Sequence, residues 1–184
     1  MHVKGAAAPE TKAAAERARL LIEQAEALGE PPEDSLLLFS VLFGFWVANH
    51  VAFNANISRE LAAQFLTLAE KQGAAVPLMI GHRIMGTTLA FTEDLAGALA
   101  HFDQSLGLYD AAEHRSLATR FGGDVRVANL TYRALARWLL GYPEAARADA
   151  DQALKEAREF GQAATMMYAL ALPNYTLNLV RVLR

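Results

Sequence analysis

The chain has 184 residues, 53% hydrophobic and 20% charged, with alanine alone about a fifth of the total. That is enough apolar surface for one sizeable core and excludes disorder beyond the first few residues. The formal charge of −3, with basic residues scattered, excludes a broad nucleic-acid footprint, and the absence of cysteine excludes disulfides, thiolate metal ligands and a cysteine nucleophile.

Residues 1–10 read as a flexible lead-in, and the N-terminus lacks the long apolar segment and cleavage site of a secretory signal. A helix is expected over 11–28, closed at Gly29, with Pro31 and Pro32 forbidding its continuation. The next, over 33–53, contains LLLFSVLFGFWVANHVAF, an apolar run interrupted by Ser40, Asn49 and His50. Its length is borderline for a membrane span. No basic cluster flanks it and it shares a repeat register with polar-faced helices, so it reads as a buried helix with Phe43, Phe45, Trp46 and Phe53 in the core.

Further helices are expected over 58–72, with Ser58 capping and Gly73 closing, and over 76–91 and 94–109. A long connection leads to helices over 124–140 and 143–160, the latter with Pro143 in its first turn and Gly161 after its end. A last helix over 164–182 carries Met166 and Met167 as core residues and is expected to kink at Pro173. No strand pattern appears, so the class is all-α with about eight helices, and the short links favour antiparallel hairpins.

Three quartets share one spacing, with a second residue twelve along, a third four further and a fourth three further. They are His50, Ala62, Leu66, Ala69; Gly86, Ala98, Phe102, Ser105; and Ala134, Ala146, Ala150, Ala153. Only His50 departs from a small or bulky apolar residue. Small residues facing each other let two helices approach closely while the bulky member fills the adjoining space, so each quartet marks a seam inside a hairpin. Ala18, Ile22 and Ala25 form a half-unit with the same closing spacing.

This pattern resembles tetratricopeptide repeats, which implies stacked hairpins in a right-handed α-α superhelix over residues 11–184. Within residues 76–160, HRIMG, ALAHFDQSLGLYD, EHRSLATRFGGD and LARWLLGYPEAA are similar to the C-terminal repeat region of bacterial multidomain signalling proteins. Those proteins join a class III adenylate or guanylate cyclase domain, or a DNA-binding regulator, to a STAND-type ATPase. The chain itself carries no GxxxxGK[ST] loop, no cyclase metal-binding carboxylate motif and no DNA-reading helix.

Two sets of residues are candidates for function. Asn49, Asn54, Arg83, Thr87 and Thr131 fall on first helices of hairpins, which in such repeats line a concave groove, and would contact a peptide or partner helix. A solvated face or a satisfied buried arginine is the alternative. His114, Arg115, Arg120, Gly122 and Gly123 could form an anion site, with glycine amides at a helix start and arginine charge beside them. The structural alternative is that Asp124 caps the following helix and Arg120 ties the connection to a neighbour.

His50 and His101 lack companions at ligand spacing, so no metal is expected, and no serine has a recognisable acid–base partner. The expected function is a non-catalytic cytoplasmic scaffold without cofactor, binding protein or neighbouring domains and open to self-association through its half-units. A small-molecule or nucleotide sensor lobe at residues 114–124 is the alternative. Neither nucleic acid nor membrane is an expected partner.

Overall fold

The computed structural model describes residue 20 and residues 34–92 and 94–171. The expected lead-in, the rest of the 11–28 helix with Ala18, Ile22 and Ala25, the stop at Gly29, Pro31 and Pro32, and the kink at Pro173 lie outside these.

All regular structure among the described residues is helical. The helices are α1 (Leu37–Val51), α2 (Ala55–Gln72), α3 (Ala75–Ala90), α4 (Leu95–Gly107), α5 (Ala111–His114), α6 (Val125–Leu139), α7 (Pro143–Phe160) and α8 (Ala163–Ala171), with a 3-10 turn over Arg115–Ala118. No helix among them is long and apolar enough to cross a membrane. Aspartates start three of them: Asp94, Asp110 and Asp124 each accept a hydrogen bond from an otherwise orphaned amide of the first turn. Gly73 and Gly161 close α2 and α7 in the left-handed conformation, as the sequence indicates. One start differs: α2 begins at Ala55, so Ser58 lies inside its first turn and caps nothing.

Apart from the single-turn α5, each helix packs on the next long helix in the chain, so α1–α2, α3–α4 and α6–α7 form hairpins. The first helices of successive hairpins also touch in series, α1 on α3, α3 on α6 and α6 on α8. The seams are where the quartets place them. All members except the half-buried His50 are buried. At Gly86 the approach is so close that a β-carbon would lie 2.8 Å from two ring atoms of Phe102 and 3.2 Å from the Ala98 carbonyl. Phe39, Phe43, Trp46, Phe65, Met79, Ile80 and Ile84 fill the core between α1, α2 and α3.

The connection after α4 is ordered by the same core. Phe121 is fully buried and meets Phe43 edge-on at 5.4 Å between ring centroids. Phe53 and Met167, expected inside, are exposed; Phe45 and Met166 are half-buried. Phe53 follows the end of α1 and Met167 lies on the face of α8 away from its packing partners, so neither has a helix above it.

Candidate interaction groove

Four of the five expected groove residues are interior, which corrects that part of the sequence reading. Thr87 and Thr131 return their hydroxyls to the carbonyls of Arg83 and Val127 one turn back, and both are fully buried between hairpins. Asn49 donates to the Phe45 carbonyl at 2.9 Å and accepts from Asn54, the one member that is only half-buried. Arg83 is 1% exposed. It donates to the Phe121 carbonyl at 2.8 Å and to the Tyr168 hydroxyl at 3.2 Å. Its guanidinium also sits over the rings of Phe43 and Tyr168 at 5.5 and 5.4 Å. A single side chain of α3 thus gathers α1, the long connection and α8, a structural role rather than an exposed one.

The five expected anion-site residues do not converge, a second correction. Arg120 is engaged by both carboxylate oxygens of Asp34. That pairing raises the affinity of Arg120 for its proton and lowers that of Asp34. His114 is buried and its Nδ1 accepts from the Asp110 amide. The Gly123 amide donates to the Ala118 carbonyl, and Gly122 lines a cleft with Tyr168 on another side of the connection. Arg115 lies over the Phe160 ring and borders a cleft of about 200 Å³. That cleft also holds Arg126 and Lys155 against Asp124, Glu156 and Glu159, so its carboxylates oppose a bound anion. Asp124 caps α6 through the Val127 amide at 3.0 Å. It also accepts from the Tyr109 hydroxyl, which burial and this contact raise well above the ordinary phenol pKa.

The polar interior is otherwise occupied by fixed pairs. Asp149 of α7 accepts from Arg133 at 2.7 and 2.9 Å and from Arg137 at 2.7 Å, locking α7 to α6. His82 and His101 meet across the α3–α4 hairpin with Nδ1 atoms 2.9 Å apart. Burial lowers both pKa values, with each partner or nearby carboxylate a smaller influence. The sequence offers no hint of this pair, because its members are 19 residues apart in different helices. Among the described residues no three His, Cys, Asp or Glu side chains stand close enough to hold a metal ion.

A stretch of accessible apolar surface lies elsewhere, running from the ends of α1 and α3 to α6 and α8. One cleft of about 430 Å³ is lined by residues including His50, Phe53, Ser58, Phe91 and Tyr132. A second of about 420 Å³ shares Phe91 and Tyr132 and continues to Met167 and Tyr168 of α8. The rings run in series: His50 stacks on Trp46 at 4.9 Å and meets Phe91 edge-on at 5.2 Å. Phe91 in turn meets Tyr132, and Tyr132 meets Tyr168, each at 6.1 Å. Burial keeps His50 below its ordinary pKa and raises Tyr132 to about 12.

At the mouth, Phe53 has φ of 57° and is 87% exposed. Its amide donates to the His50 carbonyl and the Asn54 amide to that of Asn49, the Schellman closure in which glycine normally holds the left-handed position. The chain uses glycine in the same closure at α6, where Gly141 has φ of 87° and the Gly141 and Tyr142 amides donate to Trp138 and Arg137.

Compared with known proteins, the chain matches no family model, no curated protein and no solved structure.

Proposed function

We propose that this chain is a non-catalytic helical-repeat scaffold that holds a protein segment against the apolar strip from Phe53 through Phe91 to Met167. In this reading the hairpins stack as a right-handed α-α superhelix resembling tetratricopeptide repeats. The chain then serves within a larger cytoplasmic bacterial signalling protein, as the likeness of HRIMG and LARWLLGYPEAA to the repeat arrays of cyclase and STAND-type ATPase fusions suggests. The hairpin order and the serial contact of α1, α3, α6 and α8 support it.

The observation that carries the reading is Phe53. A residue with a β-carbon in the left-handed region costs roughly 1–2 kcal/mol relative to a relaxed backbone, and a solvated phenyl ring does not offset that cost. Strain retained at an exposed aromatic residue points to a surface kept for contact. Phe91, 47% exposed, and Met167, 71% exposed, extend the same apolar strip. A non-catalytic role is favoured by the surroundings of His50, whose ring contacts are Trp46 and Phe91 rather than an orienting carboxylate.

Photo-crosslinking in the native host tests the proposal, with p-benzoylphenylalanine at 53, at 91, or at the exposed control Lys71. Discrete protein adducts from 53 and 91 but not from 71 are expected. Adducts absent at 53 and 91, or identical from all three positions, refute it.

A further inference from the structure

We infer that the cleft behind Phe53 is a binding site for a small, flat, uncharged aromatic molecule carrying one hydrogen-bonding group, bound through the rings of the cleft and the hydroxyl of Ser58. The cleft volume of about 430 Å³ suits such a ligand. No aspartate, glutamate, lysine or arginine lines it, and Arg59, which donates to the lining Thr92 hydroxyl at 2.8 Å, is exposed to solvent, so a charged ligand would lose its hydration there without a buried counter-charge.

The polar group is assigned by Ser58. This residue is 2% exposed, lines the cleft, and its Oγ has no hydrogen-bond partner. Every other buried hydroxyl of a serine or threonine among the described residues is bonded. Thr87, Thr88 and Thr131 bond to a carbonyl one turn back, Ser105 bonds to the Met79 carbonyl, and Thr165 bonds to Gln162. A buried hydroxyl left without a partner costs about 1–3 kcal/mol. The hydroxyl is closed to solvent as the side chain stands, so a ligand atom in the cleft would remove that cost by drawing Oγ towards it through rotation about the Cα–Cβ bond. The aromatic preference comes from the walls, where His50 and Phe91 meet at 75° and Phe91 and Tyr132 at 77°. A flat ring inserted beside them gains offset or edge contacts that an aliphatic chain does not.

The cleft opens onto the same strip, at Phe53 and Phe91, that the proposed function gives to a protein segment, so the two occupants would compete there, and saturable binding of a small molecule is read separately from the crosslinks. The test uses the full chain titrated with indole and with phenol by calorimetry and by NMR. Saturable binding of one equivalent is expected, with Kd below about 1 mM. Ala55 is exposed in the first turn of α2 and lines the cleft, so Ala55→Trp folds normally and is expected to weaken binding about tenfold or more. Ser58→Ala, which breaks no bond within the protein, is expected to keep or raise the melting temperature while weakening binding about threefold or more. Benzoate and benzylamine are expected to bind about tenfold more weakly than phenol. Absence of saturable binding overturns the inference. So does binding unchanged in either variant, or benzoate binding as tightly as phenol.

Discussion

Replacing Gly86 and Gly44 by alanine, one at a time, tests whether the hairpin seams are as close as the fold requires. Both lie inside helices, where glycine to alanine is worth about 1 kcal/mol in favour of folding when nothing obstructs the new methyl group. At Gly44, exposed on α1, nothing lies within 4 Å of the added carbon, so the full gain is expected. At Gly86 the carbon would stand 2.8 Å from Cδ1 and Cε1 of Phe102 and 3.2 Å from the Ala98 carbonyl oxygen. Phe102 is completely buried and cannot swing into solvent, and the carbonyl belongs to the backbone of α4. Overpacking of this kind costs about 1–3 kcal/mol, so Gly86→Ala should lose about 1 kcal/mol net. The two variants should then differ by about 2 kcal/mol, or roughly 4–8 °C in melting temperature for a chain of this size. Urea and thermal unfolding followed by far-UV circular dichroism read both values. If Gly86→Ala proves as stabilising as Gly44→Ala, α3 and α4 are not in close contact there.

Phe53→Gly should stabilise the chain by about 1 kcal/mol by relieving the left-handed strain, while weakening the crosslink formed from position 91; a lower melting temperature would show that Phe53 contributes to packing instead. Asp149→Ala leaves Arg133 and Arg137 without their shared carboxylate and should cost about 3 kcal/mol in urea unfolding. A loss well under about 1 kcal/mol would place that network among ordinary surface pairs. His50, His82 and His101 all titrate below 6.5 in the folded chain, so the unfolded chain binds protons first as the solution is acidified. Stability from their neutral forms is therefore complete above about pH 6.5 and is lost as pH falls below it towards the folded values. His101→Gln should shrink the fall in melting temperature between about pH 7.5 and pH 5.5; an unchanged fall would assign it to other groups.

The helices were legible wherever a residue's local chemistry and its tertiary role agree. Asp124 caps α6 because a carboxylate satisfies an orphaned amide, and Pro143 opens α7 because it has no amide to orphan. Both rules are local. Ser58 shows their limit: its type suits a cap, yet α2 starts at Ala55 because the Schellman closure of α1 ends at Asn54 and α2 follows at once. The candidate groove was misread for a related reason. Thr87, Thr131 and Arg83 are polar and sit on first helices, but polarity does not reveal whether a partner waits inside. Back-bonded hydroxyls and a guanidinium between two rings are invisible until the helices are packed.

Recurring small residues at helical spacing were sufficient on their own to establish an all-helical chain of close-packed hairpins, because a methyl-sized seam is encoded by residue volume at fixed intervals. Which side chains are left outside was decided only by the tertiary arrangement. Phe53 and Phe91 are as hydrophobic as Phe65 and Phe102, and they differ only in whether a neighbouring helix covers them. That coverage depends on the angle and offset at which one hairpin meets the next, which is set by contacts between residues far apart in the chain. The aromatic strip and the unpartnered Ser58 hydroxyl exist only once those contacts have formed.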